Sequence, residues 1–280
     1  MRVPYRTRLA GEQLGGWQPR GPVRRYEVRA EPDVEVVLRD GVTLRADVYR
    51  PITEEPVPGL LGWSPYNKDL MPTGLPAPFV EPGAVAYLAS HGYAVAVVNA
   101  RGTGRSGGDL GAVMFDEVER ADLAETIGWL ATRTWCDGQV GMTGMSYFAI
   151  SQLVAAGERP PALRAIFPFG ASTDLDRHGI TQNGTLQSGF LGRYTAINGA
   201  AQRLRLAPSA RHALGYLLGA PAVQRVAREV MSRMIPTLVR HAPAPEPWMR
   251  RWAEYALAAP ADRTGGRHPT PALGTSRCRC

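Results

Sequence analysis

Residues 141–150 read GMTGMSYFAI, and Ser146 is a residue whose type and setting suit covalent chemistry. An apolar run leads into Gly144, and helix formers follow the serine. A tight strand-to-helix turn lifts such a hydroxyl clear of a sheet. It also aims the first N–H groups of the helix at negative charge developing beside it. This is the outline of a nucleophile elbow, G-x-S-x-G, with Gly144 at the first glycine and Phe148 in place of the second. The same residues also fit an ordinary helix with Ser146 as its N-cap. ARGTGRSGG (100–108) carries Gly102-x-Gly104-x-x-Gly107 after a strand, with Asp122 where a dinucleotide fingerprint places its acid. Against that reading, GDLGA intervenes and the helix starts only near Asp116, so no helix N-terminus stands beside the glycines. WSPYNKDL (63–70) follows a strand end, and Tyr66 there is either a hydrogen-bond donor in a pocket or a half-buried loop tyrosine.

These groups need a frame. YEVRAEPDVEVVLRDGVTLRADVYRP alternates apolar and polar residues about Asp40-Gly41, which predicts a β-hairpin over 34–39 and 42–49. A short apolar strand follows at 59–64, and then a helical stretch at 82–91. YAVAVVNA (93–100) is continuously apolar and β-branched, as in a strand covered on both faces. Residues 116–134 place Val118, Leu123, Ile127 and Leu130 at helical spacing. A strand at 139–143, a helix at 146–157 and a strand at 163–169 complete the alternation. Alternating strands and helices predict a parallel, doubly wound sheet with helices on both faces. From 184 to 258 the pattern is helical, broken by prolines and without a strand, as in an inserted cap.

Composition narrows the classes. The chain has 280 residues, 44% hydrophobic and 20% charged, as in a soluble globular protein. No apolar run is long enough for a membrane span. The N-terminus lacks an apolar core behind its charges, so a cytoplasmic location is expected. The net charge is +7, but Lys68 is the only lysine and the arginines are scattered. That skew points to GC-rich codon usage, not to a nucleic-acid surface. Cys136 is expected as a small buried apolar residue. Cys278 and Cys280 form a weak metal signal at the end of the chain, and no disulfide framework is implied. No metal or organic cofactor is expected.

Several runs occur in one order: S-P-Y-N-K, then HGYAVAVVNARGTGRSGG, then D-E-x-x-x-x-D-L-x-x-T-I-x-W-L, then WCDGQVGMTGMSY. Together they resemble the CocE/NonD hydrolases, the cocaine-esterase-like group within the Xaa-Pro dipeptidyl-peptidase (S15) family of α/β-hydrolases. The resemblance spans about residues 30–258 and is densest over 64–175. It implies an α/β-hydrolase core with a mostly parallel sheet, an N-terminal β-hairpin and a helical cap. The expected divisions are a loose lead-in at 1–22, an incomplete core at 23–175, the cap at 176–258 and a disordered tail at 259–280. It also implies that Ser146 is the nucleophile, with the Tyr147 backbone N–H and the Tyr66 phenol as oxyanion donors. Phe190, Tyr194 and Trp252 are candidates to line an acyl pocket, and Asp137-Gly138 is expected to turn the chain into the elbow strand.

The resemblance leaves the partners of Ser146 open. It places the triad Asp and then His after the cap, on loops following further strands. His91, His178, His212 and His241 precede or lie within the cap, and His268 with Asp262 falls in the tail, after no strand. The expectation is therefore a chain truncated after the cap, with the last sheet strands missing and the strand at 163–169 as an unpaired apolar edge. Two functions follow. One is a serine hydrolase acting on a small ester or short peptide through an acyl-enzyme. The other is a catalytically silent fragment that binds acyl ligands or associates through its edge strand.

Overall fold

The apolar run expected to be covered on both faces occupies the centre of a seven-stranded sheet. The computed structural model describes residues 2–3, 26–73, 84–111, 114–182 and 185–202, with isolated positions from 204 to 233. The strands are β1 (Arg2–Val3), β2 (Val28–Val37), β3 (Thr43–Pro51), β4 (Val57–Ser64), β5 (Ala94–Asn99), β6 (Cys136–Met145) and β7 (Leu163–Phe169). Their spatial order is β1-β2-β3-β5-β4-β6-β7. The β5, β4, β6 and β7 strands run parallel, and β3 joins β5 antiparallel. Every residue of β5 is buried.

The hairpin β2–β3 runs longer than its alternation indicates, back to Val28 opposite Pro51. Its register shifts between Glu31 and Val34, where Asp33 sits at φ 56°. Within the stretch expected as a loose lead-in, Arg2 and Val3 pair with Arg29 and Val28.

The helices are α1 (Val85–Ser90), α2 (Glu117–Ala131), α3 (Tyr147–Glu158) and α4 (Ser188–Gln202). Helix α1 packs on β3 and β5, whereas α2 and α3 pack on each other and on β4 and β6. Asp116 caps α2 by accepting the Glu119 N–H at 2.8 Å. The buried face of α2 is rotated from the one its aliphatic spacing predicts. Leu123, Ile127 and Leu130 are buried, but Val118 is 49% exposed, and Glu119 and Asp122 lie inside instead. A second correction falls in the stretch expected to be helical throughout. Thr185–Leu186 (β9) pairs with Thr181–Gln182 (β8) just before α4. The rest of the expected cap and the tail lie outside the described residues.

Among the described residues β7 is the outer strand on its side of the sheet. Its Phe167 and Phe169 are 72% and 64% exposed, which matches the expected apolar edge.

A buried charge cluster ties the hairpin to the loop after β4. The Lys68 ammonium meets Asp33 at 2.5 Å, Asp47 at 2.8 Å and Asp69 at 3.3 Å, and its side chain is 1% exposed. Arg105 adds a contact of 2.8 Å to Asp69. Removing one member of a buried ion cluster leaves charges that neither water nor protein stabilises. Lys68→Met is therefore expected to cost about 3–5 kcal/mol in urea unfolding. Arg39→Ala, at an exposed pair with Glu125, should leave the midpoint nearly unchanged.

Candidate active site

Three parallel strands end side by side, at Ser64, Met145 and Phe169. In open α/β sheets, ligands bind beyond these carboxyl ends. Ser146 stands one residue past β6 at φ 60° and ψ −120°, a conformation that costs a non-glycine residue about 1–3 kcal/mol. Its own backbone braces the bend. The Ser146 N–H donates to the Phe169 carbonyl at 3.2 Å, and the Ser146 carbonyl accepts from Ala149 and Ile150 at 2.9 Å each. The ordinary N-cap reading fails on two counts. The Ser146 side chain makes no capping hydrogen bond, and its backbone is not extended as a cap requires. Its hydroxyl remains available. Tyr147 follows as the first helical residue, a position whose N–H has no partner within the helix.

Ser146 and Tyr66 line one cavity of about 530 Å³, with Ile150, Phe190, Tyr194 and His178 also in its wall. Tyr66 is buried. Its ring lies edge-on to Tyr147 at 6.0 Å, tilted against Phe148 at 5.9 Å and edge-on to Tyr194 at 6.1 Å. This resolves the departure at Phe148. The phenyl ring at the position of the elbow's second glycine is 1% exposed and packs against the Tyr66 ring. The next residue, Ala149, is small and fully buried.

The Tyr66 loop is held from three sides. The Tyr66 N–H donates to Ser64 Oγ at 3.2 Å, and the Asn99 side-chain amide donates to the Tyr66 carbonyl. Asn67 Nδ2 donates to the carbonyls of Ala201 and Leu204, each at 2.8 Å, satisfying acceptors left over near the end of α4. Gln202 links two loops. Its Nε2 donates to the Pro65 carbonyl, and its Oε1 accepts from the Gly104 N–H, both at 2.6 Å.

The glycine-rich loop is filled by protein, and this overturns the dinucleotide reading. A Cβ at Gly102 would lie 2.4 Å from the Leu110 nitrogen, and one at Gly104 would lie 2.2 Å from Asn99 Oδ1. These glycines admit backbone and Asn99 where a pyrophosphate would have to sit. Asp122 is occupied as well, by a bidentate pair with Arg101 at 2.7 and 2.8 Å.

Glu119 escaped the sequence reading, because an acid in a first helical turn looks like a solvated residue favoured by the helix dipole. It is 2% exposed. It accepts from the Trp63 indole at 2.9 Å, the Tyr147 hydroxyl at 2.8 and 3.0 Å and the Phe115 N–H at 2.6 Å. Burial pushes its carboxyl up to about 7, although the hydrogen bonds from Trp63, Tyr147 and Phe115 oppose the shift. Burial, and then the adjacent Glu119 charge, raise the Tyr147 phenol.

The remaining expected groups divide. Phe190, Tyr194 and His178 reach the cavity. His91 stacks on Tyr87 at 4.0 Å instead. No hydrogen bond joins Ser146 to a histidine among the described residues. Trp252, His212, His241, Asp262, His268, Cys278 and Cys280 lie outside the described residues. Cys136 is buried as expected, and Asp137 accepts the Gln139 N–H at 2.9 Å where Gly138 turns at φ 86°. Among the described residues no group of three or more His, Cys, Asp or Glu side chains is arranged to hold a metal, and no helix is long and apolar enough to cross a membrane.

A family model for X-Pro dipeptidyl-peptidases (S15 family) matches residues 40–263. Cocaine esterase of Rhodococcus sp. (strain MB1 Bresler) is 39% identical over 146 residues, which cover 52% of this chain and 24% of that protein. The crystal structure of a CocE/NonD family hydrolase from Staphylococcus aureus aligns with a TM-score of 0.56 at 28% identity, covering 63% of this chain and 33% of the other. An α-amino acid ester hydrolase shares the fold, with a TM-score of 0.52 at 20% identity over 86% of this chain and 42% of its own. The chain thus matches about a quarter of the length of the curated relative and a third of the staphylococcal structure.

Two outcomes are expected from the elbow's packing. Phe148→Gly, although it restores the second elbow glycine, should cost about 3–5 kcal/mol in denaturant unfolding by emptying buried space beside Tyr66. For Glu119, the folded state holds its proton up to about pH 7, whereas the unfolded chain releases it near 4.5. The folded state therefore binds more protons across that window, and stability falls as pH rises through it. The unfolding free energy of wild type relative to Glu119→Gln should decline from pH 4.5 to 7; a flat difference would contradict the raised carboxyl.

Proposed function

Because the chain belongs to the X-Pro dipeptidyl-peptidase (S15) family of hydrolases, we propose that it carries the acyl-transfer centre of a serine esterase, with Ser146 as nucleophile. One observation supports this above the others. The Ser146 hydroxyl is not used in capping, sits on a strained bend and shares a cavity with Tyr66. Ser146 Oγ attacks the carbonyl carbon of the ester and gives its proton to a general base. The carbonyl oxygen takes up the negative charge and is stabilised by the Tyr147 N–H and the Tyr66 phenol. Collapse of the tetrahedral species expels the alcohol, which recovers the proton. Water then cleaves the acyl-enzyme by the same sequence.

The cavity wall favours an ester with an apolar acyl group over a short peptide with a charged amino terminus. Ile150, Leu175, Ile180, Phe190, Leu191 and Tyr194 line it, and such a surface desolvates a hydrocarbon or aromatic ring at little cost. The second reading, acyl binding without turnover, draws on the missing hydrogen bond from Ser146 to any histidine among the described residues. Loss of the base alone costs several powers of ten in rate.

A fluorophosphonate probe followed by peptide mapping distinguishes the two. The esterase reading expects modification of Ser146 and none in Ser146→Ala, with a burst on a p-nitrophenyl ester. Tyr66→Phe should slow modification by roughly 10²–10³-fold. Folded protein that resists the probe, or is modified elsewhere, would leave the binding reading.

A further inference from the structure

The buried Glu119 carboxyl bonds to Tyr147, the residue after the bend, and no cation pairs with it among the described residues. Trp63, Phe115 and Tyr147 surround it. An aliphatic side chain would fill such a place without the cost of burying an ionisable group. What the carboxyl adds is convergence. One oxygen accepts from the β4 indole and the Tyr147 hydroxyl, and the other from the Phe115 amide and the same hydroxyl. The Phe115 and Tyr147 rings lie 4.5 Å apart, and Phe115 itself is held at φ 58°. Met114, the residue before it, forms part of the cavity wall.

The geometry points to Glu119 as a positioning residue for the oxyanion site: by clamping the Tyr147 phenol and the Phe115 amide, it sets the direction of the Tyr147 N–H and the place of the adjoining cavity wall. This rests on the reading of Ser146 as nucleophile. Glu119 touches no reacting atom. Its effect passes through Tyr147, whose side chain is fixed in the core while its main chain begins the helix at the bend. A displacement of about 1 Å at such a donor is worth about a hundredfold in rate.

The test uses the full chain as wild type, Glu119→Gln and Tyr147→Phe. Fluorophosphonate modification of Ser146 is resolved into its binding constant and its maximal rate. Both variants should keep the binding constant and lose roughly ten- to hundredfold in maximal rate. In protein carrying 15N-tyrosine, the Tyr147 amide resonance should also move in Glu119→Gln. Tyr147→Phe deletes one oxygen and keeps the ring, so it carries the test through its maximal rate if Glu119→Gln fails to fold. A folded Glu119→Gln with an unmoved amide, or either folded variant with a wild-type maximal rate, overturns the proposal. Should wild type itself resist the probe, the nucleophile reading falls, while the amide shift still decides whether Glu119 sets the donor's position.

Discussion

A serine at φ 60° survives only where its surroundings forbid relaxation, and much of this molecule supplies that constraint. Gln152, fully buried in α3, donates to the carbonyl of Phe148 and accepts the Phe167 N–H, so helix, turn and β7 close on one another. Glu119 anchors the Tyr147 hydroxyl, and the Tyr66 ring packs against both Tyr147 and Phe148. The strain is thereby spread over a core whose contacts would be lost if the bend relaxed. Rigid elements hold a side chain in place better than loops do.

Tyr66 has the opposite problem. It sits on a loop, yet it shares a cavity wall with Ser146. The solution is electrostatic and polar. Lys68 fixes the loop against the hairpin, and Asn67 and, through the Pro65 carbonyl, Gln202 fasten it to the end of α4. Helix α4 is therefore part of what positions Tyr66 as well as a wall of the cavity.

The sheet and the elbow were legible because their signals are local. The apolar run at 94–99 has one comfortable home, and a glycine, a serine and a helix former in series describe a turn. The correction at α2 has a tertiary cause. Val118 follows the helical spacing but points outward, since the core beneath offers hydrogen-bond donors from Trp63, Phe115 and Tyr147 that suit Glu119 better than an aliphatic chain. Those donors come from three separate segments, and no spacing within α2 announces them. The glycine loop misled for a related reason. Close approach of protein to Gly102 and Gly104 leaves the same sequence mark as close approach of a nucleotide. Lys68 stood out only as the one lysine of an arginine-rich chain, because isolation in the sequence says nothing of the three aspartates that fold around it.

That isolation has a practical side. The chain offers one side-chain amine, and folding shuts it away at 1% exposure. Acylating reagents, surface-coupling chemistry and enzymes that modify lysine find it screened while the hairpin and the Tyr66 loop stay joined. Its reactivity is thus a built-in reporter of whether that junction is closed, sensing an opening well short of global denaturation.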